Sequence, residues 1–233
     1  MGRTYPKEAL RHYGGIMKQY KAIIFDMDGT VLDTLDELTT SLAHVYGAHH
    51  LPVRTRQEVR AALGYGYTGL IKRTAPDLDP AEQQKLAEEF KTWYSSHCQG
   101  HTHPYDGIVS LLSALQAGGR KTAIVSNKGQ AAVSELHEEF FSHLVSFSMG
   151  ESPRYRKKLE PDMVWEALKR LGCAREDAVY IGDSEVDSMT ARNAGLDVIL
   201  VTWGFRDKED LERLHPDYLV QSPDELARLL LGQ

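Results

Sequence analysis

The stretch Tyr20 to Thr34, YKAIIFDMDGTVLDT, decides the reading of the chain. Ala22-Ile23-Ile24-Phe25 is an unbroken apolar run, which predicts a short strand buried on both faces. It ends abruptly at Asp26-Met27-Asp28-Gly29-Thr30. Two carboxylates this close, at the carboxyl end of a buried strand, sit where open α/β sheets bind ligands. Like charges at that spacing repel, so the pair costs stability unless a cation or a proton neutralises it. Gly29 lets the backbone turn sharply straight afterwards. An ordinary strand-to-helix turn also favours Asp and Gly, so the rest of the chain must separate turn from site.

Downstream, Leu35, Leu38, Leu42 and Val45 recur at helical spacing and predict a helix over Asp33 to Tyr46. Thr55 to Leu63 reads as a second helix, broken by Gly64-Tyr65-Gly66-Tyr67, with Thr68 to Thr74 resuming. Asp79-Pro80-Ala81-Glu82 is a helix start with an N-cap, a proline at the first position and a glutamate placed for a capping box, and that helix runs to Ser95. No strand is expected between Thr30 and Lys121. A helix over Gly107 to Ala117, closed by Gly118-Gly119, returns the chain to the sheet.

Strands are then expected at Lys121–Val125, Leu144–Phe147, Ala178–Ile181 and Asp197–Thr202, with an edge strand at Asp217–Gln221. Helices over Gly129–Phe140, Glu160–Leu171 and Glu185–Ala194 fall between them, and Ser222-Pro223-Asp224-Glu225 is a capping box opening a last helix. This alternation implies an α/β fold with a doubly wound parallel sheet. The all-helical stretch does not fit that rhythm and is too long for a simple crossover. It reads as an inserted helical unit over 35–103, with 20–34 and 104–233 forming the sheet core and 1–19 an N-terminal extension.

Composition narrows the function. The 233 residues suffice for one large or two modest domains. A hydrophobic content of 42% and a charged content of 26% suit a soluble globular protein. The net charge of −6 argues against general nucleic-acid or anionic-membrane binding. Two cysteines, Cys98 and Cys173, are too few for a disulfide framework or a cysteine-built metal site, so a reducing, cytoplasmic compartment is expected. No apolar run approaches the roughly 20 residues of a membrane span. The first residues lack the apolar core of a signal peptide, and Met17 is an alternative start.

Four loops after predicted strands carry Asp26 with Asp28, Ser126 with Asn127, Lys158, and Asp183 with Asp187. In a parallel sheet they open on one edge. Acids, a cation and hydroxyl or amide donors converging there suit a metal and a phosphate better than they suit stability. These residues resemble the haloacid dehalogenase-like superfamily of hydrolases. Asp26-Met27-Asp28-Gly29-Thr30 with Asp33-Thr34 is similar to its first motif, and Val125-Ser126-Asn127 to its second. Lys158-Leu159-Glu160-Pro161-Asp162 is similar to the third, with Leu159 where proline is usual; Gly182-Asp183-Ser184-Glu185-Val186-Asp187 matches the fourth. The resemblance runs from Tyr20 to the C-terminus, and the helical insert corresponds to the family's cap. Within the family, Gly64 to Leu70 and Thr202-Trp203-Gly204-Phe205-Arg206 most resemble phosphoglycolate phosphatases.

The resemblance implies a chemistry. Asp26 is the nucleophile that forms an aspartyl-phosphate, and Asp28 is the acid and then the base. Clustered carboxylate oxygens suit Mg²⁺, held by the Asp26 and Asp183 side chains and the Asp28 carbonyl, with Asp187 a ligand or an orienting neighbour. Ser126 and Asn127 donate to phosphoryl oxygens. Lys158, with Lys157 as the alternative, offsets the repulsion between Asp26 and phosphate. Asp28 argues against carbon–halogen cleavage, since the dehalogenases lack it. In the cap, Gly64, Tyr65, Gly66 and Tyr67 are expected to bind substrate and set its choice. Hinges are expected at Leu32–Thr34 and His103–Asp106. His97, His101 and His103 read as a surface linker, and Trp203 and Phe205 as packing beside the sheet edge. The expected reaction is Mg²⁺-dependent hydrolysis of a small phosphometabolite, phosphoglycolate first. The rivals are a β-phosphoglucomutase-like sugar phosphomutase, a pyrophosphatase or nucleotidase, and a non-catalytic binding module.

Overall fold

Side-chain alternation explains why the apolar run at Ala22–Phe25 is buried on both faces. Ile23 and Phe25 join Ile124, Val179, Ile181, Ile199 and Val201 in one core. Ala22 and Ile24 join Ala123, Val125, Tyr180, Val198 and Leu200 in the other. A computed structural model describes residues 18–232, so the predicted extension up to residue 17 and the alternative start at Met17 lie outside the described residues. In chain order the first elements are β1 (Ala22–Phe25), β2 (Leu32–Asp33), α1 (Leu35–Ala48), α2 (Arg56–Ala62), α3 (Gly66–Thr74), α4 (Pro80–Ser95) and β3 (His103–Pro104). Next come α5 (Ile108–Ala117), β4 (Lys121–Gly129), α6 (Gln130–Phe140), β5 (Ser148–Glu151) and α7 (Asp162–Leu171). The chain finishes with β6 (Ala178–Gly182), α8 (Glu185–Ala194), β7 (Asp197–Val201), α9 (Lys208–Arg213), β8 (Tyr218–Val220) and α10 (Pro223–Leu231).

Six strands form one parallel sheet in the order β5-β4-β1-β6-β7-β8. The chain leaves β1 for β4 and β5 on one side, then crosses to β6, β7 and β8 on the other. The order therefore reverses at β1, and the crevice such a reversal opens lies beyond its carboxyl end. α5 and α10 cover one face through Ile108, Leu112, Leu226 and Leu230. α7 covers the other through Met163, Val164 and Leu168, beside Ala191 and Ala194 of α8. Helices α1 to α4 bury Leu42, Tyr46, Ile71, Phe90 and Tyr94 among themselves, in a core continuous with the first face.

The structure corrects several boundaries. Leu32–Asp33 and His103–Pro104 pair as a two-residue antiparallel ribbon inside the stretch expected to hold no strand. Strands that short carry no periodicity, and one of them contains a proline. They tie the two expected hinge segments to each other, Leu32 opposite Pro104 and Asp33 opposite His103. β4 runs past Ser126-Asn127 to Gly129, with a register shift after Val125. Its last side chains are polar yet buried, because the helical insert covers them. The fifth strand is Ser148–Glu151 rather than Leu144–Phe147. The apolar residues of Leu144–Phe147 pack a turn against the cores: Val145 is buried, and Leu144 and Phe147 are partly so. At α10, Ser222 caps the Glu225 amide, but the Glu225 carboxylate accepts from the Gln221 amide at 2.7 Å instead of closing a box.

At α4 the predicted capping box is complete. Asp79 accepts from the amides of Ala81 and Glu82 at 2.8 and 2.9 Å, and Glu82 accepts from the Asp79 amide at 3.2 Å. Asp79→Ala is expected to lower stability by about 1 kcal/mol, which calorimetry would read as a fall in Tm of a few degrees.

Candidate active site

β1 delivers Asp26 to the switch point, and the Asp26 amide continues the sheet by donating to the Ile181 carbonyl at 2.8 Å. The next residues turn back at once. Gly29 sits at φ +78°, and a Cβ there would lie 2.3 Å from a carboxylate oxygen of Asp183, so only glycine lets the two loops meet. Thr34 stands at the N-terminus of α1, but its hydroxyl does not cap the helix. It donates to Asp28 Oδ1 at 2.7 Å, which holds that carboxylate in place.

β6 ends in Gly182, and Asp183 follows. Asp187, one turn into α8, is fully buried and saturated with donors. Its Oδ2 accepts from the amides of Asp183 and Ser184 and from the Ser184 hydroxyl, at 3.2, 3.1 and 2.6 Å. Its Oδ1 accepts from Lys158 Nζ at 2.8 Å. Asp187 therefore orients its neighbours. Lys158 is buried while Lys157 is exposed, which decides between them as the lysine that reaches this centre. Lys158 Nζ also lies 2.7 Å from Asp26 Oδ1. That contact is an ion pair whose angle falls short of a hydrogen bond, so the Asp26 oxygen has no directed donor.

Asp26, Asp183 and Asp187 offer oxygens within 4.8 Å of one another. Three buried carboxylates thus face one ammonium group, Lys158, and the excess negative charge suits a hard cation held by oxygen. Asp26, with its unpartnered oxygen, and Asp183 are the side chains able to hold one. Burial, then Asp187, pushes Asp26 well above the usual carboxylate range, with Lys158 opposing. Burial, then Asp187, raises Asp183 from 3.8 to about 7, while the Phe205 amide and Arg206 pull the other way. Burial opposes the charge on Lys158, but Asp187 and Asp26 outweigh it and hold that ammonium well above its ordinary value.

Ser126 lines the cavity over this centre, and its oxygen accepts from the Lys128 amide at 3.1 Å. Asn127, expected as a phosphate donor, commits both amide hydrogens elsewhere, to the Gly64 and Lys158 carbonyls, each at 3.1 Å. It ties the loop between α2 and α3 to the lysine loop. Gly64, Gly66 and Tyr67 line the cavity. A Cβ on Gly66 would come 3.0 Å from the Asn127 carbonyl, so that glycine serves close packing of cap on core. Tyr65 does not line the cavity; the Arg73 guanidinium lies over its ring at 3.8 Å. His97, His101 and His103 are exposed, and among the described residues the aspartates above are the grouping able to hold a metal.

The roles of Lys128 and Phe205 escaped the sequence. Lys128 is buried and lies 3.0 Å from Asp28 Oδ1; a lysine directly after Ser126-Asn127, inside a strand, was the available signal. Phe205, expected only to pack, lines the cavity, and its amide donates to Asp183 Oδ2 at 2.6 Å. Arg206 pairs with Glu185 at 2.7 Å and donates to the Leu63 carbonyl at 2.8 Å, while Arg60 of the cap pairs with Asp207 at 2.9 Å. These arginines fasten α2 and the loop after it to the segment following β7 from both sides.

Because the folded value for Asp183 exceeds its ordinary 3.8, its contribution to stability is complete below 3.8 and is lost as pH rises through about 7. Without divalent cation, Tm is expected to decline across that window, and Asp183→Asn is expected to flatten the decline. Calorimetry over a pH series would check it.

A family model, haloacid dehalogenase-like hydrolase, matches residues 23–201. A phosphoglycolate phosphatase of Xylella fastidiosa is 30% identical over 220 residues, covering 89% of this chain and 92% of that protein. An N-acetylmuramic acid 6-phosphate phosphatase of Pseudomonas aeruginosa is also 30% identical, covering 90% and 94%. The crystal structure of a protein provisionally called phosphoglycolate phosphatase, from Lactobacillus delbrueckii subsp. bulgaricus, superposes with a TM-score of 0.88 at 35% identity, covering 93% of this chain and 100% of that one.

Proposed function

The chain belongs to the haloacid dehalogenase-like hydrolases and is a phosphatase, and we propose that it hydrolyses a small phosphomonoester, phosphoglycolate first, through an aspartyl-phosphate on Asp26. One observation carries the reading. A buried carboxylate oxygen of Asp26, beside an ammonium yet free of any directed donor, stands at the switch point of the sheet. Such an oxygen is available to attack.

A phosphate monoester resists nucleophiles because its own charge repels them, so positioning and charge neutralisation supply most of the catalysis. Lys158 lies against Asp26 and reduces the repulsion between that carboxylate and an incoming phosphoryl group. Asp26 attacks phosphorus while the bond to the leaving oxygen breaks. Asp28, held by Thr34, gives that oxygen its proton. In the second half, Asp28 takes a proton from water, the water oxygen attacks phosphorus, and Asp26 is released with inorganic phosphate. Ser126 has its hydroxyl hydrogen free for a phosphoryl oxygen. The Asp26 and Asp183 side chains and the Asp28 carbonyl would hold Mg²⁺, which when bound neutralises charge on the phosphoryl oxygens.

Kinship at this level spans different leaving groups, so the choice of substrate rests on the cavity. It is about 40 Å³, lined by Asp28, Leu38, Leu70, Tyr67 and Lys128 on the leaving-group side. A cavity this small favours a short leaving group over a bulky one. The cap, which we take as residues 35–103, must lift for entry and close over a small leaving group. The two free cysteines suit the cytoplasm, where we place the enzyme.

Phosphate release should be measured from phosphoglycolate, hexose phosphates, nucleotides and pyrophosphate. Phosphoglycolate is expected to give the highest kcat/KM, chelation of divalent cation to abolish turnover, and Asp26→Asn to lower kcat at least about 10⁴-fold. Asp28→Asn is expected to cost about 10²- to 10⁴-fold. Turnover that survives Asp26→Asn would sink the mechanism, and transfer of labelled phosphate to a second sugar hydroxyl would favour a mutase.

A further inference from the structure

The phosphoryl chemistry above makes no use of Lys128. Only 1% of its side chain is exposed. Its ammonium group donates to the Tyr94 hydroxyl at 2.7 Å, lies 4.1 Å from the centre of that ring, and is 3.0 Å from Asp28 Oδ1. Among the described residues, Asp28 is the carboxylate within ion-pair reach of it. An ammonium group has three donor positions. Tyr94 takes one, the ion pair with Asp28 faces a second, and the described residues offer the third no partner in the cavity that Lys128 lines.

Tyr67 lines the same cavity and is 6% exposed, yet its hydroxyl has no hydrogen-bond partner among the described residues. The Gly129 amide faces that hydroxyl without closing a hydrogen bond. Tyr67 is not displaced from the fold, since its ring packs against Phe90 and Tyr94 at 5.3 and 5.9 Å. A buried phenol left unpartnered is costly unless a ligand completes it. The neighbouring wall is apolar, made by Leu38, Leu63 and Leu70. Sugar hydroxyls against that wall would lose their partners, whereas a methylene would not.

We propose that Lys128 and Tyr67 form a leaving-group subsite that binds a carboxylate joined through one carbon to the ester oxygen. Both the ester oxygen and Lys128 must touch Asp28, so the anion has to lie within a few bonds of that oxygen. The inference rests on the reading of the chain as a phosphatase acting at Asp26, and it names which part of the substrate is recognised and by what.

Phosphoglycolate and 2-hydroxyethyl phosphate differ by a carboxylate against a CH₂OH group. The readout is the ratio of their kcat/KM values, because any common loss from disturbing Asp28 cancels in it. The wild type is expected to prefer phosphoglycolate, and Lys128→Met to lower that preference on the order of 100-fold. Tyr67→Phe keeps the ring packing and is expected to lower it about tenfold. A preference unchanged in Lys128→Met overturns the inference; if that variant fails to fold by circular dichroism, an unchanged preference in Tyr67→Phe does so. Failure of the phosphatase reading looks different, since the wild type then turns over neither ester. In that event calorimetric titration of phosphoglycolate decides, and equal Kd values for the wild type and the variant overturn the subsite.

Discussion

Everything at this sheet edge depends on placing three carboxylates, Asp26, Asp183 and Asp187, around one buried ammonium group, Lys158. Such a cluster opposes folding, because desolvation and like-charge repulsion add. The fold tolerates it by supplying donors. Asp187 is met by two amides, a hydroxyl and Lys158, and Asp183 is met by the Phe205 amide. Asp26 is the member left without a directed donor. The stabilising contacts are thus concentrated on Asp183 and Asp187, and the Asp26 oxygen is left available.

The surroundings follow from that arrangement. Gly29 exists so that the β1 loop can lie against the Asp183 carboxylate. Thr34 gives up a capping bond to hold Asp28. Asn127 joins the cap loop to the lysine loop through its two amide hydrogens. Arg206 and Arg60 fasten cap to core beside the same cavity. Helices α1 to α4 share an apolar core with the first face of the sheet, and these polar contacts fasten them to it beside the cavity.

Much of this was legible in the chain. Asp26, Asp28, Asp183 and Asp187 stand at the ends of apolar runs, and a parallel sheet brings such ends to one edge. The helix starts at Thr55 and Asp79 were equally plain, because caps are local chemistry. The fifth strand was not, since Leu144–Phe147 is the more apolar stretch yet packs as a turn, while Ser148–Glu151 pairs. The ribbon of β2 and β3 was too short to leave a pattern.

Lys128 shows where local reading ends. Its neighbours Tyr94 and Asp28 come from the cap and from the β1 loop, and nothing near Lys128 in the chain announces them. The sequence by itself determined the alternation of strands and helices, the all-helical stretch of α1 to α4 and the loops that share an edge, because periodicity, capping and turn chemistry act over a few residues. Only the tertiary structure decided which ammonium group meets which carboxylate, which polar atoms stay unpartnered and how much room remains over Asp26. Those are consequences of burial, and burial is set by side chains that arrive from distant parts of the chain.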